Sequence, residues 1–202
     1  MPLFNEFDSG FELPGRRRRH LEPADDYRRA ESAAEQPPKL DDGPDRPARQ
    51  AGDADDCKFL LPLPMKVAQS AFREIVEYFR SRQPEAAGIL LGPVQDDVLV
   101  THFIPDEEGD GTAVSFHLNA PSLNRVVKRV RPAGINVKGF IHSHPGGLTQ
   151  PSSGDLAYMQ RLFGLPANAE AQQCFLPIVC GGRVYAYVYA RGRLWNAELI
   201  LI

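Results

Sequence analysis

The sequence predicts an α/β domain of the α+β kind behind a disordered N-terminal extension, with the boundary at residues 57–58. Two observations predict it. The first is a break in composition: residues 1–56 hold nine basic and fourteen acidic residues, net −5, while the remainder holds 14 against 12, net +2. The early part is rich in Pro, Gly, Ala and Asp without any sustained period, so it cannot bury enough apolar surface to fold. The second is that, from Lys58 on, short β-branched runs alternate with helical periodicity. A chain of 202 residues with 43% hydrophobic content can hold one good core, and 58–202 is read as that single domain.

The elements follow in order. Residues 59–63 predict a strand. Residues 65–81 place Ala68, Phe72, Ile75, Val76 and Phe79 at helical spacing. Residues 88–92 and 97–104 predict a hairpin around Pro93-Val94-Gln95-Asp96, and 112–118 a further strand. Asn119-Ala120-Pro121 combines an N-cap residue with an early proline and starts a helix that turns Leu123, Val126, Val127 and Val130 inward. Residues 135–141 are short, rich in β-branched residues and preceded by Pro132 and Gly134, which predicts a buried strand. Residues 152–163 predict a helix with Leu156, Met159 and Phe163 on one face. Residues 175–179, 184–190 and 194–199 close the domain as strands, joined at Gly181-Gly182 and Arg191-Gly192.

The chemistry sits where the buried strand meets the next helix. His142 and His144 stand at the strand end two residues apart, so their side chains leave the backbone on one side. Pro145-Gly146-Gly147 stops the strand, and Asp155 falls in the first turn of the helix. Two imidazoles and a carboxylate form a ligand set for a zinc ion that keeps one position open for water. Each residue also has a plainer explanation. Ser152 with Asp155 fits a helix N-cap pair, and a histidine at a strand end is often just a half-exposed polar residue. Glu85 stands directly before the apolar run Ala86-Ala87-Gly88-Ile89-Leu90-Leu91-Gly92, where a solvated carboxylate is equally ordinary.

Taken together, Glu85, then His142-Ser143-His144-Pro145, six residues, Ser152, two residues and Asp155, resemble the JAMM metallopeptidases (the MPN+ or JAB domain) with no departure in spacing. The resemblance covers about residues 59–202. It implies a single mixed β-sheet flanked by helices, of the cytidine-deaminase-like kind. It implies that His142, His144 and Asp155 bind one zinc ion and that Glu85 contacts the water on the metal. Zinc lowers the pKa of such a water from about 16 to near 7 and polarises the scissile carbonyl. Glu85 is suited to carry the proton to the leaving amine. Ser152 is suited to donate to the oxyanion, although the cap competes for the same hydroxyl.

The resemblance further implies cleavage of a peptide or isopeptide bond after the C-terminus of a ubiquitin-like protein or a ubiquitin-fold sulfur carrier. Prokaryotic members of this kind accompany E1-like and E2-like enzymes, some in antiviral defence systems. About twenty residues separate Asp155 from Cys174, which leaves little room for the insertion that eukaryotic deubiquitinases use to grip the distal ubiquitin. The compact prokaryotic type is therefore expected. Two other readings stand beside it: a metal-free interaction scaffold, since the fold has inactive members, and a DNA-repair-associated relative.

The remaining features narrow the field. A net charge of −3 offers no general attraction to nucleic acid, and the arginines at 16–19 lie among acidic residues and read as solvated. Phe4, Phe7, Phe11 and Leu13 form an apolar-acidic cluster suited to docking as a peptide. There is no apolar run of signal-peptide kind and no stretch long enough to span a bilayer, so a cytoplasmic, membrane-free protein is expected. Three cysteines, Cys57, Cys174 and Cys180, fit a reducing compartment and packed thiols, with a Cys174/Cys180 metal pair as the alternative. His102 and His117 lie on predicted strands away from the motif and read as structural.

Overall fold

A computed structural model describes residues 63–82, 86–112 and 115–202, with the backbone alone for 110–112 and 115–117. The expected disordered extension and its 57–58 boundary, the phenylalanine cluster, the arginine run, Cys57 and Glu85 lie outside the described residues.

Among the described residues, ten strands form one mixed sheet, as expected. Strand β1 (Leu63–Val67) turns Met65 and Val67 into the core and starts where the predicted strand was to end. Pairing explains the shift: residues 63–67 align parallel with 197–201 of the last strand, which a local reading cannot see. Helix α1 (Gln69–Arg80) therefore begins four residues later than predicted. It buries Ala71, Ile75 and Phe79, one stripe of a 3.6-residue period.

The predicted hairpin forms over part of its length. Strand β2 (Ala87–Pro93) pairs with β4 (His102–Pro105), while Leu99–Val100 leaves to form β3 beside β1. The strand predicted at 112–118 is instead half of a small two-stranded ribbon, β5 (Asp110–Thr112) with β6 (Ser115–His117), outside the main sheet. Helix α2 (Ala120–Val130) starts as read: the Asn119 side chain accepts from the Ser122 N–H at 3.0 Å, and Leu123 and Val127 are buried. The central strand β7 (Ile135–Ser143) runs antiparallel to β2 and parallel to β8 (Gln173–Phe175) and β9 (Ile178–Cys180). The strand predicted at 175–179 is thus two pieces. Pro177 separates them, since proline has no N–H for a ladder.

Helix α3 (Ser153–Gly164) buries Asp155, Tyr158, Met159 and Leu162. Its inward face is rotated from the predicted Leu156/Met159/Phe163 stripe, and Leu156 and Phe163 sit at its half-buried margins. Strands β10 (Arg183–Tyr185), β11 (Tyr187–Ala190) and β12 (Arg193–Leu201) complete the sheet. Two-residue turns join β9 to β10 and β11 to β12. Both central residues are left-handed in each: Gly181 and Gly182 at φ 58° and 75°, Arg191 and Gly192 at 52° and 75°. Such mirror-image turns match the twist of the strands.

The sheet separates two cores. Ile75 and Phe79 of α1 pack on one face with Leu90, Ile141, Phe175 and Val188. Leu123, Val127, Met159 and Leu162 of α2 and α3 pack on the other with Ile89, Leu91, Val137 and Phe140. Burying a side chain such as Ile141 or Leu162 contributes roughly 1.5–3 kcal/mol. Gly139 lies in β7 because a Cβ there would run into the Phe175 carbonyl of β8.

Candidate metal centre

A β-bulge decides which way the histidines face. Along β7, Val137 opposes Leu91 and Gly139 opposes Leu90, so Lys138 is the extra residue. The inserted residue changes the phase of the strand. Val137 and Phe140, three apart, both reach the core under α2 and α3. His142 follows Phe140 in phase, with ring centroids 6.5 Å apart, and Phe140 meets Tyr158 of α3 edge-on at 5.4 Å. The bulge therefore aims His142 at the helix that carries Asp155.

His142 opposes Ala87 on one side and Ile178 on the other. His144 lies one residue past β7, yet its N–H donates to the Val179 carbonyl at 2.9 Å, so the sheet frame still holds it. Across from them, Ser152 caps α3. Its Oγ accepts from the Asp155 N–H at 3.2 Å, and Asp155 Oδ2 accepts from the Ser152 N–H at 2.6 Å. The capping and ligand readings of Asp155 are compatible, because a carboxylate offers about four acceptor sites. Its Oδ1 stands 3.2 Å from His142 Nε2, its Oδ2 stands 3.5 Å from His144 Nε2, and the two Nε2 atoms are 2.9 Å apart.

These separations fit a shared ion. Zinc with bonds of about 2.0–2.1 Å at tetrahedral angles sets its ligand atoms roughly 3.3 Å apart. His144 supplies a second argument. Its Nδ1 lies 3.2 Å from the Leu148 carbonyl, which can only accept, so the proton sits on Nδ1 and Nε2 presents a lone pair. That lone pair and a carboxylate converge on one point, an arrangement that a cation relieves. Burial alone would raise the Asp155 carboxyl. When the rings beside it are protonated, His142 and His144, together with the Ser152 side chain, outweigh burial and hold the group well below the usual carboxylate range. All three residues are at most 9% exposed. Among the described residues they are the one group of three or more His, Cys, Asp or Glu able to hold a metal ion, with ligand atoms within 4.8 Å of one another.

The other expectations divide. Ser152 is exposed, with its oxygen engaged by the cap. Glu85 is not described, but Ala86, the next residue, is bonded to Ser143 between the two histidines. Cys174 and Cys180 are buried free thiols outside the metal-binding group, and burial pushes the Cys174 thiol up. His102 is exposed and within 2.8 Å of Thr101 Oγ1, while the His117 side chain lies outside the described residues. Sequence reasoning assigned no role to Ser143 or to the Leu148 carbonyl. Alternation along a strand was a signal for Ser143, which must point away from its histidine neighbours. Nothing local marked Leu148. No described helix is long and apolar enough to cross a membrane.

Comparison with known proteins adds the family. No curated protein matches the chain. Among solved structures, protein DSY2949 from Desulfitobacterium hafniense is 21% identical over 68% of this chain and 92% of that one, with a TM-score of 0.53, a likeness of fold. AF2198, a JAB1/MPN domain protein from Archaeoglobus fulgidus, is 22% identical over 68% and 98%, with a TM-score of 0.40. A protein from Salinibacter ruber is 20% identical over 68% and 92%, with a TM-score of 0.46. Residues 68–197, more than half the chain, match the family described as prokaryotic homologs of the JAB domain, and this chain belongs to that family.

Proposed function

We propose that the chain is a zinc-dependent peptidase or isopeptidase that cuts after the C-terminus of a ubiquitin-like modifier or ubiquitin-fold sulfur carrier. One observation carries the reading: His142, His144 and Asp155, brought together from a strand end and a helix start, offer three ligand atoms within 4.8 Å. They would hold the ion, which when bound supplies Lewis acidity and a nucleophilic water at neutral pH. The rest is the work of the chain. The Ser152 N–H, 2.6 Å from Asp155 Oδ2, orients the carboxylate that would bind the ion. The Leu148 carbonyl holds the His144 tautomer.

Glu85 takes the proton of the attacking water and delivers it to the leaving amine. The Ser152 hydroxyl, whose lone pair serves the cap, turns its one O–H from Asp155 to the developing oxyanion. The modifier's extended tail docks as an added strand, and E1-like and E2-like enzymes supply the conjugates. Two measurements test this. Metal analysis of the purified protein should find one zinc per chain, absent from His142→Ala and His144→Ala. A panel of ubiquitin-like fusions should then be cut by the wild type, with cutting stopped by a chelator and by shortening of the tail. Stoichiometric zinc with no cleavage of any fusion in the panel would point to a binding module instead.

A further inference from the structure

The chain leaving β7 closes a four-residue turn before it reaches α3. The Leu148 N–H donates to the Pro145 carbonyl at 3.3 Å, and Gly147, the third residue of the turn, sits at φ 92°. A turn with a left-handed third residue favours glycine and, next, asparagine, because a Cβ there crowds its own backbone. The surroundings make no such demand. A Cβ on Gly146 or Gly147 would meet no other atom within 4 Å, and Gly146 lies outside the left-handed range. Gly147 is therefore required by its φ alone. That conformation has a consequence at the metal group. With its N–H held on Pro145, Leu148 turns its carbonyl back to His144, 3.2 Å from Nδ1. The Cys180 thiol of β9 donates to the same Pro145 carbonyl at 3.6 Å, which ties the turn to the sheet.

We propose that Gly147 is a positioning residue for the metal centre: its left-handed backbone aims the Leu148 carbonyl at His144 and so selects the ring tautomer that can bind an ion. This rests on the reading of His142, His144 and Asp155 as metal ligands. A neutral imidazole carries its one proton on either nitrogen, and only the form with Nε2 bare can ligate through it. Two acceptors compete for that proton. The Leu148 carbonyl draws it to Nδ1, while Asp155 Oδ2, 3.5 Å from Nε2, would draw it to Nε2. With the carbonyl turned away, Asp155 wins, and His144 becomes a donor to the carboxylate instead of its fellow ligand. Loss of an outer partner of this kind costs about 10- to 100-fold in metal affinity. A glycine that only shaped the loop would leave the tautomer alone.

The experiment uses the full chain as wild type, Gly147→Ala, Gly147→Asn and Gly146→Ala. It reads two quantities: the zinc Kd by competition with a chelator, and the His144 tautomer of the metal-free protein by nitrogen NMR of the ring. Gly147→Ala should weaken zinc binding about 10- to 100-fold and move His144 toward the form protonated on Nε2. Gly147→Asn, which tolerates a left-handed backbone, should recover most of both. Gly146→Ala, in equally open space, should match wild type in both. A Gly147→Ala protein with the wild-type Kd and tautomer overturns the proposal. So does an equal weakening in Gly146→Ala, or a failure of asparagine to recover binding. A wild type that binds no zinc overturns the metal-centre reading and this proposal with it. A wild type that binds zinc no more tightly than Gly147→Ala overturns this proposal alone.

Discussion

The two ends of β7 bury polar groups in opposite ways. At the C-terminal end, His142, His144 and Asp155 stand 2.9–3.5 Å from one another, with the cap and the Leu148 carbonyl behind them. At the bulged end, Asn136 and Lys138 are each 1% exposed, yet the Asn136 amide and the Lys138 ammonium have no hydrogen-bond partner. The nearest carboxylate to Lys138 is Asp97 at 3.9 Å. Burial lowers the Lys138 pKa, with Asp97 and Asp96 opposing. Buried polarity costs free energy unless it is paired. One end of the strand gathers its polarity around a common point, with His142 Nδ1 left without a hydrogen-bond partner, and the other leaves the Asn136 amide unpaired and gives the Lys138 ammonium a single long ion pair. Substitutions at the histidine end should therefore cost function, and substitutions at the bulge should change stability.

The largest effect is expected at the ligands. His142→Ala or His144→Ala should abolish both zinc content and cleavage, read by metal analysis and by a fusion-cleavage assay. Next comes Glu85→Gln, which should keep its zinc and lose about 10²- to 10⁴-fold in kcat, the usual worth of a general base. Near-normal turnover would remove Glu85 from that role. Ser152→Ala should lower kcat on the order of a hundredfold, for a lost oxyanion contact of roughly 3 kcal/mol. The same change should cost about 1 kcal/mol of stability through the cap. Denaturant unfolding separates the two effects, and a stability loss without a kinetic one would leave Ser152 as a cap only.

The smallest effect is expected at the bulge. Lys138→Met removes a buried charge held only by a long ion pair to Asp97 and should stabilise the protein by about 1–2 kcal/mol at neutral pH. Its pH dependence has a definite sign. The folded Lys138 pKa lies below 10.5, so between the two values the unfolded chain binds more protons and stability rises with pH. The advantage of Lys138→Met should shrink as pH climbs toward 10.5, checked by unfolding at pH 7 and near pH 10. An advantage constant with pH would place its origin in packing.

Much of this was legible in the sequence where the deciding contacts are local. The Asn119 cap, the Ser152–Asp155 box, the stripe of α1 and the turns at Gly181-Gly182 and Arg191-Gly192 each depend on residues within a few positions of one another. The spacing of His142, His144 and Asp155 was equally readable, because a strand end and the next helix start are joined by a short loop. Residues 97–104 were not. Leu99 and Val100 pair with Lys66 and Val67, more than thirty residues earlier in the chain, and a strand in two pieces follows. Nor was the inner face of α3, whose phase depends on where Phe140 and Tyr158 meet.

By itself, then, the amino-acid order determined the family, the identity of the three candidate ligand residues and the kinds of element that carry them. Those are properties of residue type and short spacing, and short-range geometry follows from covalent connection. Only the tertiary structure decided that these three residues meet. The extra residue at Lys138 shifts the phase of β7, the pairing with β2 and β9 holds both histidines in the sheet frame, and the packing of α3 brings Asp155 to them. Each of these depends on strands and helices far apart in the chain closing on one another, and no local pattern specifies that.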